Sequence, residues 1–196
     1  MTRAALILAA GGSSRYCADV PGAAPGAKLL ATLAGRPLVA WAVAPPRAAD
    51  FDEVIVVEGA ADLADALPAD VTRIRNDDWS SGQASSLRAG LAWCARRGHQ
   101  QCVVGLGDTP GLTEQAWRTV AEYREGPIVF ATYEGRRGHP VRLDAEVWDL
   151  LDETGDEGAR ALARRRPDLV REVACVATVG DVNRLADLTH WRDQWN

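Results

Sequence analysis

The feature that most constrains this 196-residue chain is its rhythm: short, continuous apolar runs alternate with longer stretches of helical character. Ala4 to Leu8, Glu53 to Val57, Val71 to Arg75, Cys102 to Leu106 and Ile128 to Tyr133 read as strands. Between them, Leu38 to Ala44, Ala61 to Leu67, Ser85 to Arg97 and Thr113 to Tyr123 read as helices. Strands that are apolar throughout need cover on both faces, and intervening helices supply it. The expectation is a three-layer α/β/α fold built on a mostly parallel, Rossmann-like sheet.

The last third is less regular. It offers a strand at Pro140 to Leu143, helices at Ala145 to Leu151 and Ala159 to Arg165, a strand at Val173 to Val176, and a final helix from Arg184. No repeat or interdomain linker stands out, so residues 1–196 are expected to form one domain. The most biased segment, Tyr16 to Ala27, carries Pro21, Gly22, Pro25 and Gly26 and reads as a loop. Trp191 and Trp195 close the chain and either pack back on the body or form a dimer contact.

With 47% hydrophobic and 25% charged residues the chain can bury a core. Its net charge of −5 argues against a general nucleic-acid binder, which needs a basic excess to displace counterions. The apolar run from Ala4 to Ala10 is too short to span a bilayer, and the glycines after it do not resemble a cleavage region. A cytoplasmic location without membrane contact is expected. The cysteines at 17, 94, 102 and 175 form no C-x-x-C pair and have no histidine at zinc spacing, so no structural metal site is expected. Cys102 and Cys175 read as core thiols and Cys17 as a loop residue.

The chemistry concentrates where strands end. The first expected strand runs into Leu8, Ala9, Ala10, Gly11, Gly12, Ser13, Ser14 and Arg15. Small residues directly after a strand let backbone N–H groups approach phosphate oxygens, although a plain tight turn has the same composition. The pattern is neither a Walker A loop nor a dinucleotide fingerprint. Arg15 and Lys28 would bring the positive charge a triphosphate needs. The fourth strand ends in Gly107-Asp108-Thr109-Pro110, and open α/β sheets bind ligands at the carboxyl ends of their strands. A carboxylate at Asp108 can hold Mg²⁺ against phosphate or cap the next turn. Asp181 and Asn183 precede a helix, where they either cap it or face the same ligand.

Taken in order, these segments resemble the MobA-like nucleotidyltransferases. The resemblance rests on L-A-A-G-G-S-S-R at Leu8 to Arg15, followed by Lys28-Leu29-Leu30 and Gly35-Arg36-Pro37-Leu38. It continues through Asn76, Trp79, Gly82 and Ser85-Ser86-Leu87, then Gly107-Asp108-Thr109-Pro110 and Gly138-His139-Pro140-Val141. Gly155 to Arg160, Asp181-Val182-Asn183 and Asp187-Leu188 complete it. The resemblance implies the fold of nucleotide-diphospho-sugar transferases. G-H-P-V together with G-D-x-G-A-R is closest to the molybdenum cofactor cytidylyltransferase branch. That branch implies transfer of CMP from CTP to molybdopterin with release of pyrophosphate, Mg²⁺ as cofactor and a molybdenum hydroxylase as the client. A guanylyl- or sugar-phosphate-directed transferase and a non-catalytic nucleotide-binding accessory protein are the alternatives. Ala10, rather than the glycine of guanylyl-transferring relatives, favours CTP.

By the same resemblance Arg15, Lys28 and Asp108 are the catalytic residues. The nucleotide is expected on Leu8 to Arg15, Lys28, Ser85, Ser86 and Asp108, and the metal on Asp108, Asn183 and Asp181. His139, Asp156 and Arg160 are expected at the acceptor. An ionised phosphate acceptor needs little deprotonation, so His139 is read as an acceptor contact rather than a general base. Arg164-Arg165-Arg166 reads as a solvated helix end and Trp79 as packing under the following helix. One departure stands out. Twelve residues separate Arg15 from Lys28, where the family pattern R-x-G-x-x-K has four, and Cys17 replaces its glycine. Lengthening a loop costs little free energy, but Lys28 reaches the phosphates only if the extra segment bulges outward.

Overall fold

The computed structural model describes residues 2–195, so Met1 and Asn196 at the limits of the expected domain lie outside it. The elements in chain order are β1 (Arg3–Ala9), α1 (Ser14–Asp19), α2 (Ala27–Leu30), β2 (Thr32–Leu33), β3 (Arg36–Pro37), α3 (Leu38–Ala48), β4 (Glu53–Glu58) and β5 (Thr72–Arg75). They continue with α4 (Gln83–Arg96), β6 (Gln101–Leu106), α5 (Glu114–Glu122), β7 (Ile128–Tyr133), β8 (Arg136–Asp144), α6 (Ala159–Arg165), β9 (Val170–Ala174) and α7 (Leu185–Trp195).

Seven strands form one sheet in the order β5-β4-β1-β6-β8-β7-β9, with β2 and β3 a separate two-stranded ribbon. β8 alone runs antiparallel to its neighbours β6 and β7; the other pairings are parallel. Its direction follows from a two-residue hairpin turn at Glu134 and Gly135, both at positive φ, which suits the right-handed strand twist. The three-layer α/β/α expectation is met. Successive β1 residues feed opposite cores: Ala4, Leu6 and Leu8 pack with Leu87, Leu91 and Cys94 of α4. Ala5, Ile7 and Ala9 pack with Val39 and Val43 of α3 and Trp117 and Val120 of α5. With every β1 residue after Arg3 buried, the strand shows no polar alternation to read.

Several local expectations are corrected. Ala61 to Leu67 is not a helix but a single 3₁₀ turn at Ala64–Ala66. There Asp62 accepts a hydrogen bond from the Ala64 N–H at 2.9 Å and Glu58 from the Leu63 N–H at 3.2 Å, so side chains satisfy donors that a helix would have used. Ala145 to Leu151 is likewise 3₁₀. α3 continues through Pro45 and Pro46 to Ala48: proline's fixed φ is compatible with helix, and the lost N–H bonds and ring crowding fall in the last turn. The segment Tyr16 to Ala27 is not simply a loop: α1 carries Tyr16 and Cys17, and Tyr16 is buried against Val182, Leu188 and Trp191. Trp191 is buried and contacts Trp195, which in turn meets Trp41, so the chain end packs back on the body. Cys102 is buried 3.9 Å from Cys94, whereas Cys175 is only half-buried. Among the described residues no helix is long and apolar enough to cross a membrane.

Glu53 ties the sheet to the α4 layer at the start of β4. It accepts hydrogen bonds from Thr72 on β5 (2.7 Å) and the Trp93 indole on α4 (3.0 Å), and meets His99 Nε2 at 2.8 Å. Burial alone would raise its pKa, but the bonds from His99, Thr72 and Trp93 outweigh that and hold it below the ordinary value of 4.5. A carboxyl depressed by folding adds stability above its unfolded pKa and loses it as pH falls through the folded value. Chemical denaturation from pH 7 to pH 3 should therefore show a loss of stability below about pH 4.5. Glu53→Gln should be less stable at pH 7 and show a shallower acid limb; a variant with the wild-type acid limb would remove Glu53 from this role.

Candidate nucleotide and acceptor site

The sheet order reverses between β1 and β6, since the chain moves outward through β4 and β5 before returning to pair with β1. Loops leaving these two strands therefore diverge and open a crevice at their carboxyl ends, the usual ligand position in such sheets. Two cavities occupy it. The larger, of about 690 Å³, is lined by the loop from Ala10 to Ser14, by Lys28, and by Gly82, Gln83 and Ser86 at the start of α4. The smaller, about 240 Å³, lies over β6 and β8 and is lined by Arg15, Phe130, His139, Arg160, Asp181 and Asn183. Leu8, Gln83, Leu106, Asp108 and Asp156 border both.

At the seam stands a close ion pair. Lys28 Nζ donates to Asp108 Oδ2 at 2.6 Å, across 80 residues of sequence, and Lys28 is only 8% exposed. The long excursion before Lys28 is brought back by three contacts. The Gly26 N–H donates to the Gly12 carbonyl at 3.1 Å, and Cys17 Sγ lies 3.3 Å from the Ala24 carbonyl. Tyr16 anchors the outward side in the C-terminal cluster. Gly26 itself is required: its φ is +80°, and a Cβ there would stand 2.6 Å from Ala61 Cβ.

Arg15 Nη2 donates to Asn183 Oδ1 at 2.8 Å, joining residues 168 apart. The Asp108 carbonyl accepts from the Val182 N–H at 2.9 Å, which fixes the segment carrying Asp181 and Asn183 beside β6. The acidic and cationic candidates are thus brought into one place. Desolvation, then the Asp108 carboxylate, raises the Asp181 pKa against the pull of Lys28, Arg160 and Arg15. Burial lowers the pKa of His139, whose Nδ1 lies 3.2 Å from the Val104 carbonyl. A neutral imidazole donating from Nδ1 leaves Nε2 as an acceptor.

Ser86 reaches the larger cavity, whereas Ser85 does not line either one. Ser85 Oγ accepts from Asn76 Nδ2 at 2.9 Å and can donate to the Asp78 or Gly82 carbonyl, which makes it a bracket for the start of α4. Asp156 Oδ1 accepts from the Gln83 N–H at 3.1 Å, so it caps α4 as well as bordering both cavities. Sequence reasoning missed Cys17, Gln83, Leu106 and Phe130 as cavity residues, because nothing in their spacing distinguishes a lining residue from a packed one. Trp79 also lines the larger cavity rather than lying wholly under a helix.

Among the described residues no group of three or more His, Cys, Asp or Glu side chains is placed to hold a metal ion by itself. Asp108 Oδ1, however, is buried without a hydrogen-bond partner, and a second carboxylate, Asp181, lies close enough that burial and then the Asp108 charge raise its pKa. One or two carboxylates with remaining positions left to phosphate and water is the usual Mg²⁺ arrangement. Asp108 and Asp181 fit it; Asn183 fits once Arg15 releases its amide oxygen.

The strand-end loop of small residues, the lysine–aspartate pair and the second cavity beyond it lie together at one end of the sheet. The sequence pattern of the MobA-like NTP transferase domain matches residues 5–170, and the chain belongs to that family. A curated relative, nicotine blue oxidoreductase of Paenarthrobacter nicotinovorans, is 34% identical over 183 residues, covering 87% of this chain and 85% of its own. A nucleotidyl transferase from Methanothermobacter superposes with a TM-score of 0.82 at 24% identity, covering 99% and 97% of the two chains. Rv0371c of Mycobacterium tuberculosis H37Rv superposes at 0.80 with 25% identity and 98% coverage of each, and has also been solved in complex with manganese.

The Lys28–Asp108 pair predicts a stability signature. Removing one buried partner strands the other charge and costs about 3–5 kcal/mol, whereas apolar replacement of both is close to neutral. Lys28→Met and Asp108→Leu should each lower the denaturation midpoint clearly, and the double variant should recover most of the loss. Additive losses would mean that the two side chains do not interact in solution.

Proposed function

We propose that the protein is a Mg²⁺-dependent nucleotidyltransferase that moves CMP from CTP onto the terminal phosphate of the molybdenum cofactor and releases pyrophosphate. The observation that carries this reading is the Lys28–Asp108 pair at the border of two cavities. In this reading the larger cavity takes the nucleotide and the smaller takes the acceptor. The acceptor's phosphate oxygen attacks the α-phosphorus, the bond to the β-phosphate oxygen breaks, and pyrophosphate leaves with that bonding pair. An ionised phosphate oxygen needs no base, so the protein's work is alignment and charge neutralisation. The Gly11-to-Ser14 amides and Arg15 receive the phosphates, and Lys28 swings from Asp108 to the leaving pyrophosphate. A bound divalent ion on Asp108 and Asp181 would neutralise the α-phosphate oxygens during transfer. Arg160 supplies positive charge to an anionic acceptor, and neutral His139 offers an uncharged acceptor atom from Nε2. Support for CTP comes from Ala10 and from the G-H-P-V segment, which carry the resemblance to the cytidylyl-transferring branch.

A second reading is favoured by one observation: the relative at 34% identity is named as an oxidoreductase. The same larger cavity would then hold a redox-active nucleotide cofactor and the smaller its electron acceptor.

The test is equilibrium binding of CTP, GTP, UTP and ATP with Mg²⁺, followed by pyrophosphate release with molybdopterin. CTP is expected to bind best and to support release. A clear purine preference sinks the cytidylyl assignment, and oxidation of a reduced dinucleotide without pyrophosphate release favours the second reading. Asp108→Asn should cut turnover by at least about a hundredfold, the scale of losing one electrostatic stabiliser. Unchanged turnover would remove Asp108 from the reacting centre.

A further inference from the structure

We propose that Trp79 is a positioning and base-stacking residue for the nucleotide. Its indole sets the depth of the loop after β1 and gives the bound base its aromatic wall. The inference rests on the larger cavity being the nucleotide site.

Three observations converge on this side chain. First, Trp79 is the single aromatic residue among those lining the larger cavity; the others are small, aliphatic or polar. A base entering this space has one π-surface to meet. Second, the indole occupies the volume that a side chain at position 12 would need. A Cβ on Gly12 would stand 2.9 Å from Cζ3 and 3.1 Å from Cη2 of Trp79. A Cβ on Gly59, at the end of β4, would stand 2.6 Å from Trp79 Cβ and 2.8 Å from Ala10 Cβ. Trp79 is therefore fitted between the ends of β1 and β4, against the loop whose amides face the cavity.

Third, the residue is held from behind. It opens a 3₁₀ turn (Trp79–Ser81), closed by the Ser81 N–H on the Asp78 carbonyl at 3.1 Å. Asn76 braces that turn, accepting from the Asp78 N–H at 3.1 Å and donating to Ser85 and Ser86 at 2.9 and 3.0 Å. The ring also packs against the core beneath β1 and α4. A half-buried aromatic so braced does not swing to follow the loop; the loop settles on it.

The physical consequence has two parts. The indole props the Gly11–Ser13 backbone at a fixed height, so the distance from its amides to a phosphate is set by Trp79. Base-on-aromatic stacking adds affinity that tolerates any base, because every base has a π-face. Discrimination among bases then falls to the edge contacts that this fixed plane permits along Leu8 to Ala10.

Calorimetry with CTP and with inorganic triphosphate, each with Mg²⁺, separates the parts. Trp79→Leu should weaken CTP about tenfold and triphosphate by a smaller factor, since the loop loses its prop, while Trp79→Phe keeps most of the CTP affinity. Quenching of Trp fluorescence by CTP should fall in Trp79→Phe relative to wild type. Gly12→Ala should lose triphosphate binding, and Gly12→Ala combined with Trp79→Leu should regain it, since the added methyl then enters vacated space. CTP affinity unchanged in Trp79→Leu overturns the stacking role. A Gly12→Ala loss identical in both backgrounds overturns the positioning role. Failure of the wild-type chain to bind any nucleoside triphosphate overturns this inference together with the nucleotide reading, whereas wild-type binding with indifferent Trp79 variants overturns this inference alone.

Discussion

The structure turns on one ion pair, Lys28 with Asp108. Neither residue is local to the other, so the contact forms only if β6 lies beside β1 and the segment after Arg15 returns to its starting point. Burying such a pair carries a desolvation penalty that attraction alone recovers poorly. Here the remaining lone pairs do not complete the balance, because Asp108 Oδ1 has no partner. A buried carboxylate oxygen left open beside a buried ammonium has little value for folding. It has a clear value if a cation arrives at that oxygen while phosphate draws Lys28 away. Arg15 and Asn183 repeat the arrangement on the other side, a phosphate-seeking cation held by an oxygen suited to a metal. The charges of the site thus neutralise one another, and a cation and a phosphate binding there would displace the same contacts.

Fold topology explains why the site has two chambers. The reversal of strand order between β1 and β6 opens the first, as in other open α/β sheets. The second exists because the β7–β8 hairpin inserts an antiparallel strand next to β6, bringing His139 to the same sheet end as Asp108. Val182 then ties the Asp181–Asn183 segment to the Asp108 backbone and closes the second chamber's rim.

Much of this was legible in the sequence, and the failures have physical causes. β7 and α6 fall where apolar run and helical pattern placed them, and β1, β4 and β6 differ only at their ends. Ala61 to Leu67 misled because its alanines and leucines favour helix while Asp62 and Glu58 divert the backbone donors. Tyr16 to Ala27 misled in the other direction: glycine and proline content hid a short helix whose formation depends on burying Tyr16 against residues more than 160 positions away. Of the candidate residues, Arg15 and Asp108 stood out because they follow strands beside small residues, and Lys28, which the fold brings onto Asp108, stood out by the family resemblance. Trp79, Gln83 and Phe130 were not legible as cavity residues, since a residue lining a cavity and one lining a core have the same composition until the chain is folded. Ser85 and Ser86 are adjacent in sequence, yet only Ser86 faces the cavity, a distinction set by helix phase.

Family membership constrains the reaction less than it constrains the scaffold, because one fold hosts different chemistries according to its site. A relative named as an oxidoreductase makes that concrete for this chain. Hydride transfer between a nucleotide cofactor and a second molecule needs the two reacting atoms held close; it does not by itself call for a cation–carboxylate pair where they meet. Nucleotidyl transfer places its greatest change of charge at that border, between the attacked phosphorus and the departing pyrophosphate. Lys28 and Asp108 border the two cavities, with an unpartnered oxygen and a second carboxylate of raised pKa alongside, as the proposed transfer would require. The charge arrangement of this chain matches the demands of phosphorus chemistry, and that match, more than the fold, is the reason to prefer the transferase.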